Sequence, residues 1–448
     1  MTEKFDIIII GGGNAGFGVS AIAHDAGKTI AFIEDRDFGG TCPNRGCTPK
    51  KVLVAAAHTL EEIARAKTHC IEVGEPSLNW AALIDREKDL ISFLPGAMES
   101  TAEKRGTLFR GTAKFTGPNT VEVDGKIIEG EAIVIATGSI PRPLPIPGAD
   151  LMITSDDVLS DRELPSEVVF VGGGVIAMEF SHVYARAGSK VTILEALPRL
   201  LPRMDVDAVN AIQAETESLG VVIKTGVTVK QITDVDDMLR VDFEHEGQAQ
   251  SVGATKVVNG AGRIANVGAL DLEAANVKYD GVRIAVDDYL RSTSNPAVWV
   301  AGDALVHSAQ LSPIATYEGR VVGENIVHGP TVKPNYDVLP SAVYTVPAVS
   351  TVGLTEEEAK AKGLNVKVTT SDMTGWLSGK TYGETVAFAK VLVDEKTDRF
   401  VGVHMVGHQS EELIHLFSLA MNHDISATAM RSNMFAFPTF TSDVKSLF

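Results

Sequence analysis

The strongest constraint on this chain is an internal echo. Near the N-terminus an apolar run (7–10) is followed by Gly11, Gly13 and Gly16. Ala26 and Gly27 come next, then a second apolar run (29–33) that ends at Glu34. The pattern returns with an apolar run at 168–171, Gly172, Gly174 and Ala177. It closes with Ala187, Gly188 and a run at 191–194 that ends at Glu195. The interval from Gly11 to Glu34 equals that from Gly172 to Glu195. Each copy reads as strand, glycine turn, helix, strand. In such a unit the first glycine permits a tight turn, the second lets the backbone approach a pyrophosphate, and the third packs helix on strand. The terminal acid can hold a ribose hydroxyl pair. The helix N-terminus offers unpaired N–H groups to phosphates. Two complete units predict two dinucleotides.

The 448 residues exceed one ordinary core and predict about two to four domains. A net charge of −18 argues against nucleic acid as a partner and against an anionic membrane surface. The early apolar run 7–10 is too short for a signal peptide core or a membrane span. A cytoplasmic, reducing setting is expected. There the three cysteines are too few for a disulfide framework. Cys70 reads as a free thiol with no role.

Between the two copies the sequence predicts helices over 55–66 and 80–94 and a strand over 131–139. Pro141, Pro143, Pro145 and Pro147 then form a stiff connector and a domain boundary. Alternation over 238–246 predicts antiparallel strands, and a strand at 297–301 runs into Gly302 and Asp303. From about residue 334 the character changes, with strands expected at 344–346, 387–393 and 400–406 and helices at 355–361 and 411–422. The resulting expectation is an α/β protein: two Rossmann-like dinucleotide-binding domains plus a C-terminal α+β domain. The first domain would span 1–144 and 264–333, the second 145–263, and the third 334–448.

Cys42 and Cys47 lie in Gly-Gly-Thr-Cys-Pro-Asn-Arg-Gly-Cys-Thr-Pro-Lys-Lys, residues 39–51. On an ideal helix residues five apart have Cα atoms roughly 8–9 Å from one another, whereas a disulfide needs them within about 7 Å. A bond between these thiols requires a distorted turn, and Pro43 and Gly46 supply the irregularity. Such a bridge is easily reduced, as a redox centre needs. Arg45, Lys50 and Lys51 are expected to favour the thiolate. Zinc fits poorly, because two cysteines without an adjacent histidine fall short of four ligands.

The first copy leads straight into the cysteine pair, so its cofactor lies beside the thiols, which favours FAD there. The second copy then takes the nicotinamide cofactor. Glu195 should repel a 2′-phosphate, favouring NADH over NADPH. Asp303 has two readings, a nucleotide contact or a helix N-cap.

The run 39–51 resembles the GGTCxNxGCxPxK signature of the class I pyridine nucleotide–disulfide oxidoreductases, a family that includes dihydrolipoamide dehydrogenase, glutathione reductase and mercuric reductase. The resemblance extends along nearly the whole chain through ATGS (136–139), GGGVIAMEF (172–180), GAGR (260–263), VAGDA (300–304), YEGR (317–320) and VGLTEEEA (352–359). It implies a homodimer with FAD, NAD(P) and interface domains, acting on a small-molecule substrate such as a disulfide. It implies that Cys42 exchanges with substrate, that Cys47 lies nearest the flavin, and that Lys51 and Glu179 form an ion pair by the flavin's reactive nitrogen. Thr41, Thr137, Gly138, Arg263 and Asp303 would contact FAD beside the first turn. Ile176 and Gly262 would serve the nicotinamide cofactor. Ala177, in place of a third glycine, points towards NADP in related enzymes; the charge of Glu195 outweighs it.

One departure stands out. The family's disulfide reductases end in a His-Pro-Thr-x-x-Glu run whose histidine is the acid–base partner of the exchanging thiol. Here the run is Phe437-Pro438-Thr439-Phe440-Thr441-Ser442, followed by Asp443. Phenylalanine carries no proton. This leaves a disulfide reductase such as one for lipoamide or a glutathione-like disulfide, a reductase of metal ions or electrophiles or a carboxylase-like variant, or a flavoprotein subunit of a larger complex. His408 and His415 read as core or surface histidines rather than replacement bases.

Overall fold

The computed structural model describes residues 2–448, and the chain divides into two compact units. One comprises Met1–Lys50, Asp85–Arg142 and Gly262–Asn335; the other comprises Lys51–Ile84, Pro143–Ala261 and Tyr336–Phe448. The step from Arg142 to Pro143 falls on the proline-spaced connector.

In the first unit the strand Glu3–Ile10 is central to a seven-stranded sheet. Ile7, Ile8 and Ile9 are all buried, as a continuous apolar run must be when both faces of a parallel strand are covered. Ile30–Glu34 and Thr107–Arg110 extend the sheet in parallel on one side, and Lys126–Ile135 pairs on the other. Val298–Val300 lies parallel to Lys126–Ile135. The short strands Thr120–Val123 and Lys114–Gly117 add an antiparallel edge. The helix Asn14–Asp25 follows the first glycine turn directly.

The second unit holds a four-stranded parallel sheet in the order Val222–Lys224, Lys190–Leu194, Glu167–Val171, Lys256–Asn259. An antiparallel three-stranded sheet spans Thr228–Val235, Met238–His245 and Gln248–Ala254. The C-terminal residues form a five-stranded antiparallel sheet, ordered Ser341–Val343, Ala348–Gly353, Arg399–Gly407, Phe388–Asp394, Val366–Asp372. The fold is thus α/β, with Rossmann-like parallel sheets and a C-terminal antiparallel sheet.

Three details differ from the sequence reading. The segment Lys51–Ile84 clusters with the second unit, because Leu53, Val54, Ala57, Trp80 and Ile84 share a core with Phe170 and Tyr184. The helix expected over 80–94 is two, Trp80–Ile91 and Leu94–Arg105. Pro95 has no N–H to bond the Ile91 carbonyl, so it ends one helix and starts the next. Residues 344–346 are not a strand: Ser341–Val343 ends before them, and their backbone groups turn to side chains described below.

A buried charge cluster ties three elements of the second unit together. Lys390, on Phe388–Asp394, is only 2% exposed. Its Nζ lies 3.1 Å from Asp205, 2.8 Å from Asp207 and 2.7 Å from Glu356. Asp205 also caps the helix Val206–Ser218 by accepting from the Asp207 and Ala208 amides.

Candidate functional site

The first glycine turn is built as its spacing predicts. Gly11 has φ +112°, and a Cβ there would run into the Ala136 carbonyl oxygen at the end of the neighbouring strand; one at Gly16 would strike the Gly11 carbonyl. Gly13 is the helix N-cap with no side-chain partner for the first-turn amides, which leaves those N–H groups for an anion. Glu34, buried at its strand end, accepts from the Gly12 amide at 2.7 Å and the Arg36 amide at 2.8 Å. Burial raises its carboxyl above the ordinary range, against the pull of those amides.

Facing elements of the same unit complete a cradle. Thr137 Oγ1 is buried with no hydrogen-bond partner, and Gly138 adopts φ +69°. Ser139 Oγ donates to Asp303 at 2.9 Å and accepts from Arg263 Nε at 2.9 Å. Asp303 lies inside the short 3-10 turn Gly302–Ala304, whose N-cap is Ala301, so it is not a cap. Burial raises its carboxyl, opposed by Ser139 and Arg263. Gly262, expected on the nicotinamide side, belongs to this unit and accepts from the Arg142 amide at 2.9 Å. An orphaned hydroxyl, an uncapped helix start and a buried acid fit the polar groups of a dinucleotide such as FAD.

The cysteine segment is pinned to this turn. The Gly39 amide donates to the Gly12 carbonyl at 2.8 Å, and a Cβ on Gly40 would sit 2.9 Å from the Gly13 Cα. A short helix, Thr41–Arg45, carries Cys42 and exposed Thr41; the longer helix Cys47–Arg65 begins at Cys47. Gly46 separates them with φ −144° and ψ −117°. A Cβ at Gly46 would lie 2.9 Å from the Thr41 carbonyl oxygen and 3.3 Å from the Cys42 Cα, so only glycine lets the second helix close onto the first. The longer helix tolerates Pro49 because its first turn lacks intrahelical acceptors. Cys42 and Cys47 are free thiols, the first half-buried and the second exposed.

The Cys42 thiol is lowered to about 6. The causes, largest first, are the Cys47 side chain, opposed by burial, then hydrogen bonds from Ser312, the Cys47 backbone and Thr48. These donors are neutral, whereas the sequence pointed to Arg45, Lys50 and Lys51. Arg45 faces Asp37 at 3.7 Å instead. Ser312 and Thr48 were missed by motif reading. Ser312-Pro313 is a helix-start signal, and the structure begins the helix Ser312–His328 there.

In the second unit the other turn repeats the first. Gly172 has φ +106°, and a Cβ would meet the Gly260 carbonyl. Gly174 is an uncapped helix N-cap before Val175–Ala187, on which Ile176 is half-buried and Ala177 buried. Buried Glu195 accepts from the Gly173 amide and, at 2.6 Å, from the Leu197 amide. This is the Glu34 arrangement again, with the acid fixed by backbone amides.

Glu179, 3% exposed, accepts from the Tyr344 amide at 2.8 Å, and Lys51 Nζ stands 3.8 Å from the Tyr344 ring centroid. Tyr344 thus joins the two residues that the sequence reading paired. Its neighbour Val346 is held from below. Arg186 Nη2 donates to the Val346 carbonyl at 2.8 Å and to Glu61 at 2.7 Å. Thr216 Oγ1 donates to the Ile212 carbonyl at 2.7 Å, leaving it to accept from His182 Nε2 at 2.8 Å. The bare Nδ1 of His182 then accepts from the Val346 amide at 3.2 Å. Burial, reinforced by Arg186, pushes His182 down to about 3, so it is neutral. The Tyr344 amide and both backbone groups of Val346 are taken by Glu179, His182 and Arg186 rather than by a strand partner.

Phe437 is 77% exposed. His408 packs against Tyr382 at 5.2 Å and Phe440 at 4.8 Å, which also touch each other at 5.2 Å, with Nδ1 3.5 Å from Glu384; His415 is exposed. Cys70 is exposed. Among the described residues no helix is long and apolar enough to cross a membrane, and no three His, Cys, Asp or Glu side chains are grouped as metal ligands.

With this geometry in place, residues 5–319 match the pyridine nucleotide-disulphide oxidoreductase family and residues 339–448 match its dimerisation domain. The chain belongs to the class I pyridine nucleotide-disulphide oxidoreductase family. It is an enzyme of the flavoprotein disulfide reductase type; the family uses FAD and NAD(P)H, and the dimerisation domain implies a homodimer. It is 34% identical to dihydrolipoyl dehydrogenase 3 of Pseudomonas putida, over 98% of this chain and 96% of that one. It is 31% identical to glutathione reductase of Burkholderia cepacia, over 99% and 98%. Its structure resembles the HOCl-induced flavoprotein disulfide reductase RclA from Escherichia coli, with a TM-score of 0.87, 27% identity and 99% of both chains covered.

Proposed function

We propose that the chain passes electrons from NADH, through FAD at the first turn, to the Cys42–Cys47 pair and on to a small disulfide. The observation that carries this reading is the broken helix: Gly46 brings two thiols together on a segment pinned to the first glycine turn. FAD, when bound, accepts an electron pair from the nicotinamide and hands it to a disulfide. The protein's own residues do the rest. The first turn and Glu34 hold the dinucleotide, Cys47 receives the electron pair, and Cys42 attacks the substrate. Lys51 and Glu179 both lie against Tyr344 in the second unit.

The test is an anaerobic NADH titration of the purified flavoprotein. Uptake of one electron pair per FAD before the flavin absorbance falls, with a new long-wavelength band, is the expected result. Immediate loss of flavin absorbance without that band sinks the reading of the dithiol as a redox partner.

The preference for NADH rests on Glu195, a carboxylate fixed by two amides where the ribose hydroxyls would bind. A 2′-phosphate adds charge against it, and two unit charges at 4 Å repel by about 4 kcal/mol at an effective dielectric of about 20. Glu195→Gln keeps an amide acceptor and removes the charge. The ratio of kcat/KM for NADH to that for NADPH should fall by about tenfold or more, since about 1.4 kcal/mol is tenfold. An unchanged ratio removes Glu195 from coenzyme choice.

A second reading, reduction of a metal ion or other electrophile, is favoured by Phe437, an exposed apolar side chain where a base is expected. A solved structure similar to this chain is the Cu(II) complex of RclA, with a TM-score of 0.88 and 27% identity. Reduction of Cu(II) but of no disulfide by the NADH-reduced protein would select this reading.

A further inference from the structure

We propose that Asn44 is a positioning residue that sets the reduction potential of the Cys42–Cys47 pair. Its side-chain amide ties the short helix carrying Cys42 to the carbonyls of Phe38 and Gly40, and so holds the two thiols ready to join. The inference rests on the reading of that pair as the redox centre.

Thr41–Arg45 has five residues, and its N-cap Gly40 offers no side chain. Isolated helices shorter than about 12–15 residues are marginal in water, so this one needs a tether. Asn44 supplies it by reaching back along the chain. Its Nδ2 donates to the Phe38 carbonyl at 3.0 Å and to the Gly40 carbonyl at 3.1 Å. Both amide protons are engaged, which fixes the end of the side chain that is nitrogen. The other end, Oδ1, is buried with no partner. An unpaired buried acceptor costs free energy, so the site uses this residue for its N–H groups. The anchor that Asn44 grips is rigid. Phe38 is 1% exposed and packs edge-on against Phe32 at 6.1 Å. Gly39 and Gly40 follow with φ +100° and +67°, conformations that favour glycine, and they rest on Gly12 and Gly13. A Cβ on Gly39 would fall 2.7 Å from Pro43 Cγ, so the proline between Cys42 and Asn44 lies against the same turn. The other tether is weaker: Arg45 reaches Asp37 at 3.7 Å, and the Asp37 side chain is 58% exposed.

Oxidation of the pair joins Cys42 Sγ to Cys47 Sγ with loss of two protons and one electron pair; reduction reverses this. The equilibrium depends on how often the two sulfurs are presented to each other, which is their effective concentration. The short helix is held by Asn44 on one side. On the other it is closed onto the next helix at Gly46, where a Cβ would lie 3.3 Å from the Cys42 Cα. Together these keep the effective concentration high. Freeing the helix gives the dithiol more arrangements than the disulfide permits, so the disulfide is disfavoured and the potential rises. Asn44 moves no proton and no electron; it acts through the helix.

The test reads the thiol equilibrium without any nicotinamide. The holoenzyme is equilibrated anaerobically in mixtures of reduced and oxidised dithiothreitol, quenched with acid and alkylated. The oxidised fraction of the Cys42 and Cys47 peptides is then measured by mass spectrometry. Each dithiothreitol closes its own S–S bond as the protein's S–S bond opens, so two protons and one electron pair pass between them. Asn44→Asp keeps the shape and places an acceptor where the two N–H donors were; Asn44→Leu keeps the volume and removes the donors. Each should shift the equilibrium constant towards the dithiol by at least about tenfold, a rise of about 30 mV in the two-electron potential. Asn44→Leu stands in should Asn44→Asp lose its flavin. A potential that stays at the wild-type value in either flavin-retaining variant overturns the assignment and leaves the pair's redox role intact. A wild type whose two thiols join in none of these mixtures removes the redox reading and this inference with it. The NADH titration reports whether flavin electrons reach the pair, whereas the dithiothreitol mixtures report the pair's own equilibrium, so the two fail separately.

Discussion

Replacing either Cys42 or Cys47 with serine should lower turnover with a small disulfide by at least about a thousandfold, because a residue acting within a catalytic unit carries most of that unit's rate. The two variants should differ in what remains. Cys47→Ser keeps the Cys42 thiol and a hydroxyl in place of the largest cause of its lowering. It should attack substrate once and stall as a mixed disulfide, visible as a mass increment of one substrate half. Cys42→Ser leaves the exposed Cys47 without its partner and should form no such adduct at a comparable rate. Cys47→Ala should form the adduct more slowly than Cys47→Ser at pH 6, since alanine donates nothing to the thiolate. Equal and rapid adducts in both serine variants would remove the proposed division of labour. Turnover retained in either would mean that the pair is not the redox centre.

The parts of this site that follow from backbone geometry were legible in the sequence. The repeated glycine spacing dictates two tight turns, and the acid at equal distance in each copy is held by the same two kinds of amide, at Glu34 and at Glu195. Pro43 and Gly46 announced an interrupted helix, and the chain breaks at Gly46. What stayed hidden depends on which distant segments meet. Lys50, Lys51 and Arg45 stand beside the cysteines in sequence, yet the donors at Cys42 are hydroxyls and a thiol, one of them Ser312 from a remote helix start. Tyr344 looked like part of a strand because its apolar neighbours suit one. Its amide is instead taken by Glu179, and Val346 by His182 and Arg186. Periodicity reports which face is buried; it carries no information about a side chain that replaces a strand partner.

The largest effect on stability is expected from Lys390→Met. Lys390 and Asp205 are each 2% exposed. Removing one partner of a buried ion pair leaves charge uncompensated and costs about 3–5 kcal/mol. Three carboxylates from two elements would lose their shared cation, although Glu356 keeps Lys360 at 2.5 Å and Asp205 keeps its amide partners. Asp205→Ala should cost less, about 1 kcal/mol for the lost cap, because Asp207 and Glu356 still face Lys390. The sign of the pH dependence follows from Glu356, whose carboxyl is drawn down to about 2 by Lys360 first and then Lys390. A group with a depressed folded pKa contributes stability above its ordinary value of 4.5, and that contribution is lost as pH falls through about 2. The gap between wild type and Lys390→Met should narrow across that window. Amide hydrogen exchange of Phe388–Asp394 measures it locally; a loss of protection below about 1 kcal/mol at pH 7 would show that the cluster does not hold the strand. The same experiment bears on the catalytic side of the second unit. The cluster anchors the N-terminus of the helix Val206–Ser218, and Thr216 near its other end holds His182, which holds Val346 beside Tyr344. Loosening that helix should raise exchange at the Tyr344 and Val346 amides as well, because their acceptors, Glu179 and His182, keep their grip only while His182 is held from beneath.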